Sequence, residues 1–224
     1  MSVLQRIALF YRQRGLLATI KRFFTELYRS FYLGRMIVYS CPIPSGGITL
    51  SDKTNTVDFE RATSSHLLKD DYVKILDIGS IEKRSRDIAN RFELGSELWV
   101  AKVNGRVAGF GWTLVGKTVS PHYFTLGANE VHFFDFHVFP EFRGRGINIA
   151  LIEKILTALS TQPISRAHIE CAAWNHAQIR SLSKTPFHRQ AEVIRITFLG
   201  RSAIIWLTGS SINGKVSFHK DPLQ

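Results

Sequence analysis

The feature that most constrains the fold of this 224-residue chain is a strand, a glycine loop and a helix in direct succession. Between Val131 and Phe139 the residues are mostly aromatic or β-branched, which predicts a strand buried on both faces. Pro140 lacks the N–H that the next ladder hydrogen bond would need, so the strand is predicted to end there. From Ile147 to Leu159 apolar residues recur at helical spacing, which predicts a helix directly after the loop.

The loop between this strand and this helix reads Arg143-Gly144-Arg145-Gly146. At the start of a helix the first backbone N–H groups have no partner inside the helix, and with the positive end of the helix dipole they attract anions. Glycine lets the backbone approach a ligand closely, and arginine presents forked donors that fit phosphate oxygens. The loop therefore predicts a pyrophosphate site. The alternative is a basic surface turn that binds nothing.

Two other phosphate-binding motifs fit this loop poorly. A Walker loop would end in Gly-Lys followed by Ser or Thr, and this loop does not. A dinucleotide fingerprint that begins at Gly144 would need Gly or Ala at position 149, which is Ile149. The anion site is therefore of another kind.

Residues 138–148 resemble the acetyl-CoA loop of the GNAT superfamily of N-acetyltransferases. That family's motif is Arg or Gln, two residues, Gly, one residue and Gly or Ala; the corresponding run here is Arg143-Gly144-Arg145-Gly146-Ile147-Asn148. Asn148 replaces the last small residue, and it either crowds the pyrophosphate or adds a side-chain amide to it. The resemblance extends over roughly residues 55 to 200.

This resemblance implies an α/β (α+β) fold with a central mixed, mostly antiparallel sheet flanked by helices. It also implies an enzyme, an acyltransferase that transfers the acetyl group of acetyl-CoA to a primary amine. Acetyl-CoA is then the acyl-donor substrate, and we expect no metal ion.

The resemblance further implies which residues hold the donor. A bulge in the central strand would free backbone N–H groups for the thioester oxygen and the pantetheine amides, and this part falls to Phe136, His137 and Val138. The pyrophosphate would lie on Arg143, Gly144, Arg145, Gly146, Ile147 and Asn148, and Asn175 would contact the pantetheine arm. One departure is Leu182, which stands where relatives carry a tyrosine proposed to protonate the CoA thiolate.

Three residues of the central strand are candidates for the general base that takes the proton of the attacking ammonium group. Glu130 and His132 share one face of a regular strand together with Phe136, and the position of His132 often holds the catalytic glutamate in relatives. In a regular strand Asp135 points to the other face, and a bulge would reverse this. Asp135-Phe136-x-Val138 resembles the Asp-Phe-Phe-Val segment of polyamine acetyltransferases. The alternative is that Glu130 is a solvated strand end and Asp135 only caps the loop.

The other elements follow from shorter patterns. Strands are predicted over residues 35–41, 56–62, 97–103, 106–114, 167–171, 190–199 and 202–209, and helices over 64–78, 80–94 and 175–184. Asn104-Gly105 predicts a type I′ hairpin turn, because both turn positions need a positive φ. We divide the chain into an N-terminal extension with its linker (1–47), the acetyltransferase domain (48–209) and a loose C-terminal tail (210–224).

Residues 3–33 are the second informative region. Apolar and aromatic residues form one helical stripe: Leu16, Leu17, Ile20, Phe23, Phe24, Leu27, Tyr28 and Phe31. The opposite face is basic, with Lys21, Arg22 and Arg29. This pattern is typical of a helix that lies on an anionic membrane surface. Packing on the domain or self-association with a second subunit explains the stripe equally well.

The formal net charge is +11, of which the first 40 residues carry +6. A basic excess suits CoA phosphates, anionic lipid or nucleic acid. No stacking pattern for single strands and no DNA-reading motif is present, so we expect no nucleic-acid partner.

Several absences predict a cytoplasmic protein, with attachment to the inner face of the membrane as the alternative. The two cysteines, Cys41 and Cys171, have no metal or redox spacing and are expected to be reduced thiols. No run is apolar enough to span a bilayer. Arg6, Arg12 and Arg14 interrupt any secretion signal.

The order of a basic aromatic helix followed by an acetyltransferase domain resembles bacterial family members found with polysaccharide-assembly genes. That resemblance implies an amino sugar, nucleotide-linked or lipid-linked, as the acceptor. The alternatives are a polyamine or other small amine, and a non-catalytic CoA-binding module that docks to a membrane.

Overall fold

The computed structural model describes residues 15–17, 20–21, 34–44, 57–64, 75, 81–118, 123, 125–198, 201–208 and 217–220. Most of the predicted N-terminal stripe and of the predicted helix over 64–78 lies outside these residues. Of the stripe, Leu16, Leu17 and Ile20 are described, and they are helical and exposed. No helix within the described ranges is long and apolar enough to cross a bilayer.

The chain forms two compact units. The larger unit consists of Tyr39–Glu170 and Ala177–Arg189, and the smaller consists of Met1–Val38, Cys171–His176 and Gln190–Gln224. Strands β1 (Arg35–Pro42) and β6 (Arg166–Ala172) each start in one unit and end in the other. The sequence-based boundaries at 47/48 and 209/210 stay a prediction.

The larger unit is built on a mixed sheet with the strand order β2-β3-β4-β5-β6-β1. The further strands are β2 (Asp58–Ala62), β3 (Glu97–Val103), β4 (Arg106–Val115) and β5 (Glu130–Val138). The pairs β2–β3, β3–β4 and β4–β5 are antiparallel, whereas β5 and β6 are parallel. The predicted mixed, mostly antiparallel sheet is therefore confirmed.

The turn between β3 and β4 has the predicted shape. Asn104 and Gly105 have φ values of 50° and 72°, which are the two positive values that a type I′ turn requires. This turn fixes the register of the hairpin, so Trp99 and Trp112 come to lie in the buried interior.

Helices cover both faces of this sheet. Helix α1 (Ile81–Glu93) lies on the face of Trp112, because the Phe92 ring packs 5.0 Å from the Trp112 ring. Helix α2 (Ile147–Leu159) packs against β3, β4 and β5. It lies on the opposite face, since the Ile147 side chain approaches Gly109, which is an odd number of residues from Trp112. A short 3₁₀ turn, Pro140–Phe142, precedes α2, and α3 (His176–Leu182) follows β6.

The smaller unit carries the strand order β1-β7-β8-β9, in which the pairs β7–β8 and β8–β9 are antiparallel. Its strands are β7 (His188–Phe198), β8 (Arg201–Thr208) and β9 (Ser217–Lys220). Strand β9 pairs with Arg201–Ile204 of β8, so the prediction of a loose tail is wrong for residues 217–220. Four residues are too few for a period-2 pattern to be recognised, and the neighbouring β8 edge supplies the partner.

Candidate active site

The predicted anion loop joins the end of β5 to the start of α2. Gly146 is the N-cap residue of α2 and has φ 77°, and Gly144 has the same φ. A Cβ atom at either glycine would meet no atom within 4 Å, so the glycines are needed for the left-handed backbone rather than for space. Gly146 brings no capping side chain, and the first N–H groups of α2 are therefore available to an anion.

Three arginines surround this loop. Arg143 Nε donates a hydrogen bond to the Val138 carbonyl oxygen at 3.1 Å, which fixes the stem of its side chain beside the strand end. The guanidinium of Arg145 lies 5.6 Å from the centre of the buried Phe142 ring, and Arg106 lies 5.6 Å from the same ring. Arg106 follows the turn of the β3–β4 hairpin, and only the folded hairpin brings this turn close to Phe142. The sequence analysis therefore did not include Arg106 in the site.

The bulge that the family resemblance implied is present in β5. His137 pairs with Phe110 and Phe134 pairs with Trp112, so the single residue Gly111 faces two residues of β5. The extra residue is Asp135, whose φ of 49° is left-handed.

The bulge reverses the alternation of the side chains that follow it. The Phe136 ring stacks on the Phe133 ring, with 5.8 Å between centroids, and His137 stacks on Phe110 at 5.7 Å. The prediction that Phe136 shares the face of Glu130 and His132 is therefore wrong, because one inserted residue shifts the period-2 pattern by one.

The bulge lies where β5 separates from β6. Pairing between these parallel strands runs from Glu130–Arg166 to Phe133–Ile169 and ends there. Phe139 directly follows β5, and its N–H donates to the carbonyl oxygen of Ala108 in β4. Because backbone groups alternate along an antiparallel strand, the N–H of Val138 points away from β4, toward the side on which the pairing with β6 has ended. The N–H of Val138 is therefore directed into the gap that opens beyond the Phe133–Ile169 pair.

The carboxylate of Asp135 is held by α1. Its Oδ2 accepts a hydrogen bond from Arg91 Nη1 at 2.6 Å. The Arg91 guanidinium also lies over the rings of Trp112 and Phe134, at 5.1 and 5.3 Å from their centroids, and the side chain is only 14% exposed. Asp135 thus anchors the bulge to the helix, which is a different task from accepting a proton.

Glu130 stands at the start of β5 and has several partners. Its Oε2 accepts a hydrogen bond from the Gly127 N–H at 2.8 Å, and its Oε1 lies 3.4 Å from His168 Nε2 and 4.0 Å from Arg166 Nε. Burial raises the pKa of this carboxyl, but the Gly127 hydrogen bond, His168 and Arg166 together outweigh burial, and the pKa is lowered from 4.5. A carboxylate with a lowered pKa is a weaker base.

The lowered pKa of Glu130 predicts a measurable effect on stability. Because the pKa is depressed in the folded state, the ionised carboxylate stabilises the fold at pH values above the unfolded pKa. This contribution is lost as the pH falls through the folded pKa. We expect Glu130→Gln to reduce the fall in stability between about pH 5 and pH 3, measured by urea unfolding at each pH. An unchanged pH dependence in Glu130→Gln would contradict this assignment of its partners.

His132 meets a partner that the sequence did not predict. Its Nε2 lies 2.9 Å from Oε1 and 3.1 Å from Oε2 of Glu170 on β6. The imidazole stacks on the Phe134 ring at 5.2 Å. Arg166, His168 and Glu170 alternate along β6, and this alternation is visible in the sequence. It indicates a polar face of β6, but it points to His132 only once the parallel pairing of β6 with β5 is known.

Asn148 does not reach into the loop with its side chain. Its Nδ2 donates to Gln178 Oε1 at 3.1 Å and to Ser181 Oγ at 2.8 Å, so the amide ties α2 to α3. Contact of this side chain with the pyrophosphate, by crowding it or by hydrogen bonding to it, stays a prediction. The backbone N–H of Asn148 lies in the first turn of α2, where it has no partner inside the helix.

Two further predicted positions lie near α3. Asn175 belongs to the smaller unit, and its N–H donates to the Ala172 carbonyl oxygen at 2.8 Å. Its contact with a pantetheine arm stays a prediction. Leu182, at the position of the family's tyrosine, is fully buried.

Residues 111–118 match the sequence pattern of a Walker loop, Gly-x-x-x-x-Gly-Lys-Thr. Gly111–Val115 form part of β4, in which Gly111 pairs with Trp99 of β3 and the other four residues pair with β5. An extended paired strand cannot wrap its N–H groups around a phosphate, so the match has no functional meaning here. Among the residues that the structure describes, no group of three His, Cys, Asp or Glu side chains could hold a metal ion.

A family model described as "Acetyltransferase (GNAT) family" matches residues 65–184, more than half of the chain. A search of curated protein sequences found no match.

Solved structures of the same kind are similar to this chain. An acetyltransferase from the GNAT family of Colwellia psychrerythraea matches with a TM-score of 0.51 and 16% identity over 70% of this chain and 53% of that one. A putative GNAT acetyltransferase of Novosphingobium aromaticivorans matches with a TM-score of 0.47 and 14% identity, over 71% of this chain and 61% of that one. An aminoglycoside acetyltransferase from an uncultured soil metagenomic sample matches with a TM-score of 0.43 and 11% identity, over 60% of this chain and 90% of that one. This chain thus spans less than two thirds of the Colwellia and Novosphingobium proteins.

Proposed function

The chain belongs to the acetyltransferase (GNAT) family, and from this premise we propose that it transfers the acetyl group of acetyl-CoA to a primary amine. The observation that carries the proposal is the gap between β5 and β6 beyond Phe133, which adjoins the glycine loop at the start of α2. A thioester needs backbone donors for its carbonyl oxygen, and its diphosphate needs an anion site. This part of the chain offers both within one strand–loop–helix segment.

The loop is assigned to the pyrophosphate. Its N–H groups come from Gly144, Gly146 and the first turn of α2, including Ile147 and Asn148, and the helix dipole adds positive potential. Arg143 and Arg145 add two charges whose side chains are already positioned by the Val138 carbonyl and the Phe142 ring. Prior positioning lowers the entropy lost when the donor binds.

The resemblance implied the N–H groups of Phe136, His137 and Val138 for the thioester and the pantetheine arm, but the alternation that turns Val138 away from β4 turns the N–H of His137 toward Phe110. Of these, the Val138 N–H is directed toward the gap by the register of β4 and β5. A donor fixed in this direction stabilises the negative charge that develops on the carbonyl oxygen when the amine attacks. Asn175 is assigned to the pantetheine arm on the resemblance alone.

The acceptor is proposed to approach from the face that carries α1, and its proton is proposed to leave toward His132. Glu130, His132 and Asp135 were the sequence candidates for the base. The carboxylate of Asp135 is occupied by Arg91, and Glu130 has a lowered pKa. His132 has a carboxylate partner at the edge of the gap, which supports it over the other two.

The finer parts of the function rest on the family resemblance. The proposed acceptor is an amino sugar, nucleotide-linked or lipid-linked, that is used in cell-surface polysaccharide synthesis. The protein is proposed to act in the cytoplasm. The basic helix over residues 3–33 is proposed to place the domain (48–209) at the inner face of the membrane, with self-association as the other use of the same stripe.

Calorimetric titration with acetyl-CoA and with CoA tests the donor site, and release of the CoA thiol in the presence of amines tests catalysis. We expect micromolar binding of both, and turnover with glucosamine or a nucleotide-linked amino sugar above that with spermidine. Faster turnover with spermidine would identify a polyamine, and not an amino sugar, as the acceptor class. Binding without turnover on any amine would identify a non-catalytic CoA-binding module, and absence of binding would refute the proposal as a whole.

A further inference from the structure

We infer that Gly109 in β4 is a positioning residue for acetyl transfer, because the absence of a side chain at this position fixes the direction of the Val138 N–H. The inference rests on the proposed function, in which this N–H receives the thioester oxygen, and it names the residue that holds the donor in place. Gly109 belongs to no loop motif. The close approach of β5 to β4 beyond the bulge indicates its role.

A glycine inside a strand needs a physical reason, because it costs backbone entropy and leaves no side chain to pack. Gly109 lies within β4 and is paired on one side with Ala101 of β3 and on the other with Val138 of β5. It is not one of the glycines with a positive φ, so a left-handed backbone is not the reason. The reason is the space that a side chain would occupy.

The space beside Gly109 is filled by the backbone of β5. A Cβ atom at this position would stand 2.7 Å from the carbonyl oxygen of His137 and 3.4 Å from the Cα atom of Val138. Cβ atoms in proteins essentially never come within 3.0 Å of such an atom. A side chain at Gly109 would therefore displace the His137 carbonyl.

The group that would be displaced belongs to the peptide unit that carries the proposed donor. The His137 carbonyl and the Val138 N–H share one peptide bond, which is planar and trans, so the two groups point in opposite directions. The carbonyl lies against β4, and the N–H is directed into the gap beyond the Phe133–Ile169 pair. A movement of the carbonyl away from Gly109 therefore turns the N–H out of its present direction as well.

The start of α2 also borders the space beside Gly109. The Cβ atom would stand 3.4 Å from Cγ2 of Ile147, an ordinary van der Waals distance, so an added methyl group would touch α2 without displacing it. A side chain at Gly109 would thus move the proposed thioester donor, while the proposed pyrophosphate loop kept its place. This difference separates a positioning role from a general loss of packing.

Gly111, two residues farther along the same face of β4, has a different neighbour. A Cβ atom there would stand 2.5–2.7 Å from three atoms of the Phe136 ring, and these are the three nearest atoms. A ring can turn away about its side-chain torsions, whereas a strand carbonyl moves only with its peptide unit. Of these two glycines, Gly109 is therefore the one that constrains the backbone of β5.

The test is Gly109→Ala, compared with the wild type in the rate of acetyl transfer to glucosamine and spermidine and in the affinity for CoA. We expect kcat to fall about 10- to 100-fold, since a misplacement of about 1 Å can cost about 100-fold. CoA has the pyrophosphate but no thioester carbonyl, so its affinity, measured by calorimetric titration, should stay within about threefold of the wild type. An unchanged kcat, or an equal loss in kcat and in CoA affinity, would overturn the inference.

Gly95→Ala is the matched control for a loss of stability. It makes the same change at a glycine with φ 86°, where a Cβ atom would meet nothing within 4 Å. Alanine is strained at this φ, which lowers the free energy of unfolding, and urea unfolding measures this for both variants. We expect Gly95→Ala to keep kcat within about threefold of the wild type. An equal fall of kcat in both variants would assign the effect to stability and not to position.

A measurement on the wild type tests the inference even if Gly109→Ala does not fold. The amide resonance of Val138 is followed by NMR during titration with acetyl-CoA and with CoA. We expect a larger downfield shift with acetyl-CoA, because only the thioester supplies a carbonyl oxygen to this N–H. Equal shifts with the two ligands, together with wild-type turnover, would overturn the inference and leave the acetyltransferase in place. Absence of acetyl-CoA binding in the wild type would instead refute the proposed function itself.

Discussion

Replacing Arg143 and Arg145 together by alanine is expected to weaken acetyl-CoA binding by at least about 100-fold, because each charge-assisted hydrogen bond to a phosphate contributes roughly 1.5–3 kcal/mol. Arg143 is held by the Val138 carbonyl, and Arg145 rests on Phe142. Their loss removes charge and forked donors from the start of α2 but leaves the glycine backbone intact. Calorimetric titration with acetyl-CoA measures the effect.

The control for this double variant is Arg61→Ala/Lys154→Ala. It removes the same charge from positions on β2 and on the exposed side of α2. We expect its affinity to stay within about threefold of the wild type, since exposed charges at a distance are screened by salt. If both double variants lost affinity equally, the protein's overall field rather than the loop would bind the donor. An unchanged affinity in the Arg143/Arg145 variant would contradict the pyrophosphate assignment.

Asp135→Val is expected to lower acetyl transfer by about 100-fold and to reduce the free energy of unfolding by about 3 kcal/mol. A β-branched residue is strongly disfavoured at φ 49°, and Arg91 loses its partner in a largely buried position. The bulge then relaxes, and the strand donors of the gap lose their direction. Acetyl-transfer rates and urea unfolding measure the two effects.

Asp135→Asn and Asp135→Gly distinguish an anchoring carboxylate from a general base. Asparagine tolerates the left-handed backbone and can still accept from Arg91, and glycine has no steric cost there. We therefore expect Asn to retain the most activity and Gly to stay within about tenfold of the wild type, because a role in backbone shape survives both changes. If Asn and Gly were as inactive as Val, Asp135 would be the base and the proposed role of His132 would fail.

Local patterns predicted the elements of the larger unit closely, because their causes are local. The Asn104-Gly105 turn requires two positive φ values that few other residues adopt, and both are observed. Pro140 ends β5 for lack of an N–H, and the apolar spacing after Gly146 specifies α2. The segment 217–220 was missed, since its strand exists only through pairing with β8.

The candidate site was predictable only in part. The function proposed for the loop from Arg143 to Ile147 rests on backbone shape and charge, and both are visible in a linear sequence. The direction of the Asn148 side chain was not visible, because Gln178 and Ser181 come to it from another helix. Likewise the bulge at Asp135 changed the face of Phe136, which a regular alternation had placed wrongly.

The sequence by itself determined a strand, a glycine-bent loop and an amphipathic helix, and with them the motif on which the proposed anion site rests. It did so because proline, glycine and apolar periodicity act on the backbone within a few residues. Only the tertiary structure decided which carboxylate stands next to His132. Glu170 is 38 residues away, and it reaches the imidazole because β5 and β6 pair in parallel and then separate. Register between distant strands depends on the packing of the whole sheet, so no local pattern specifies it.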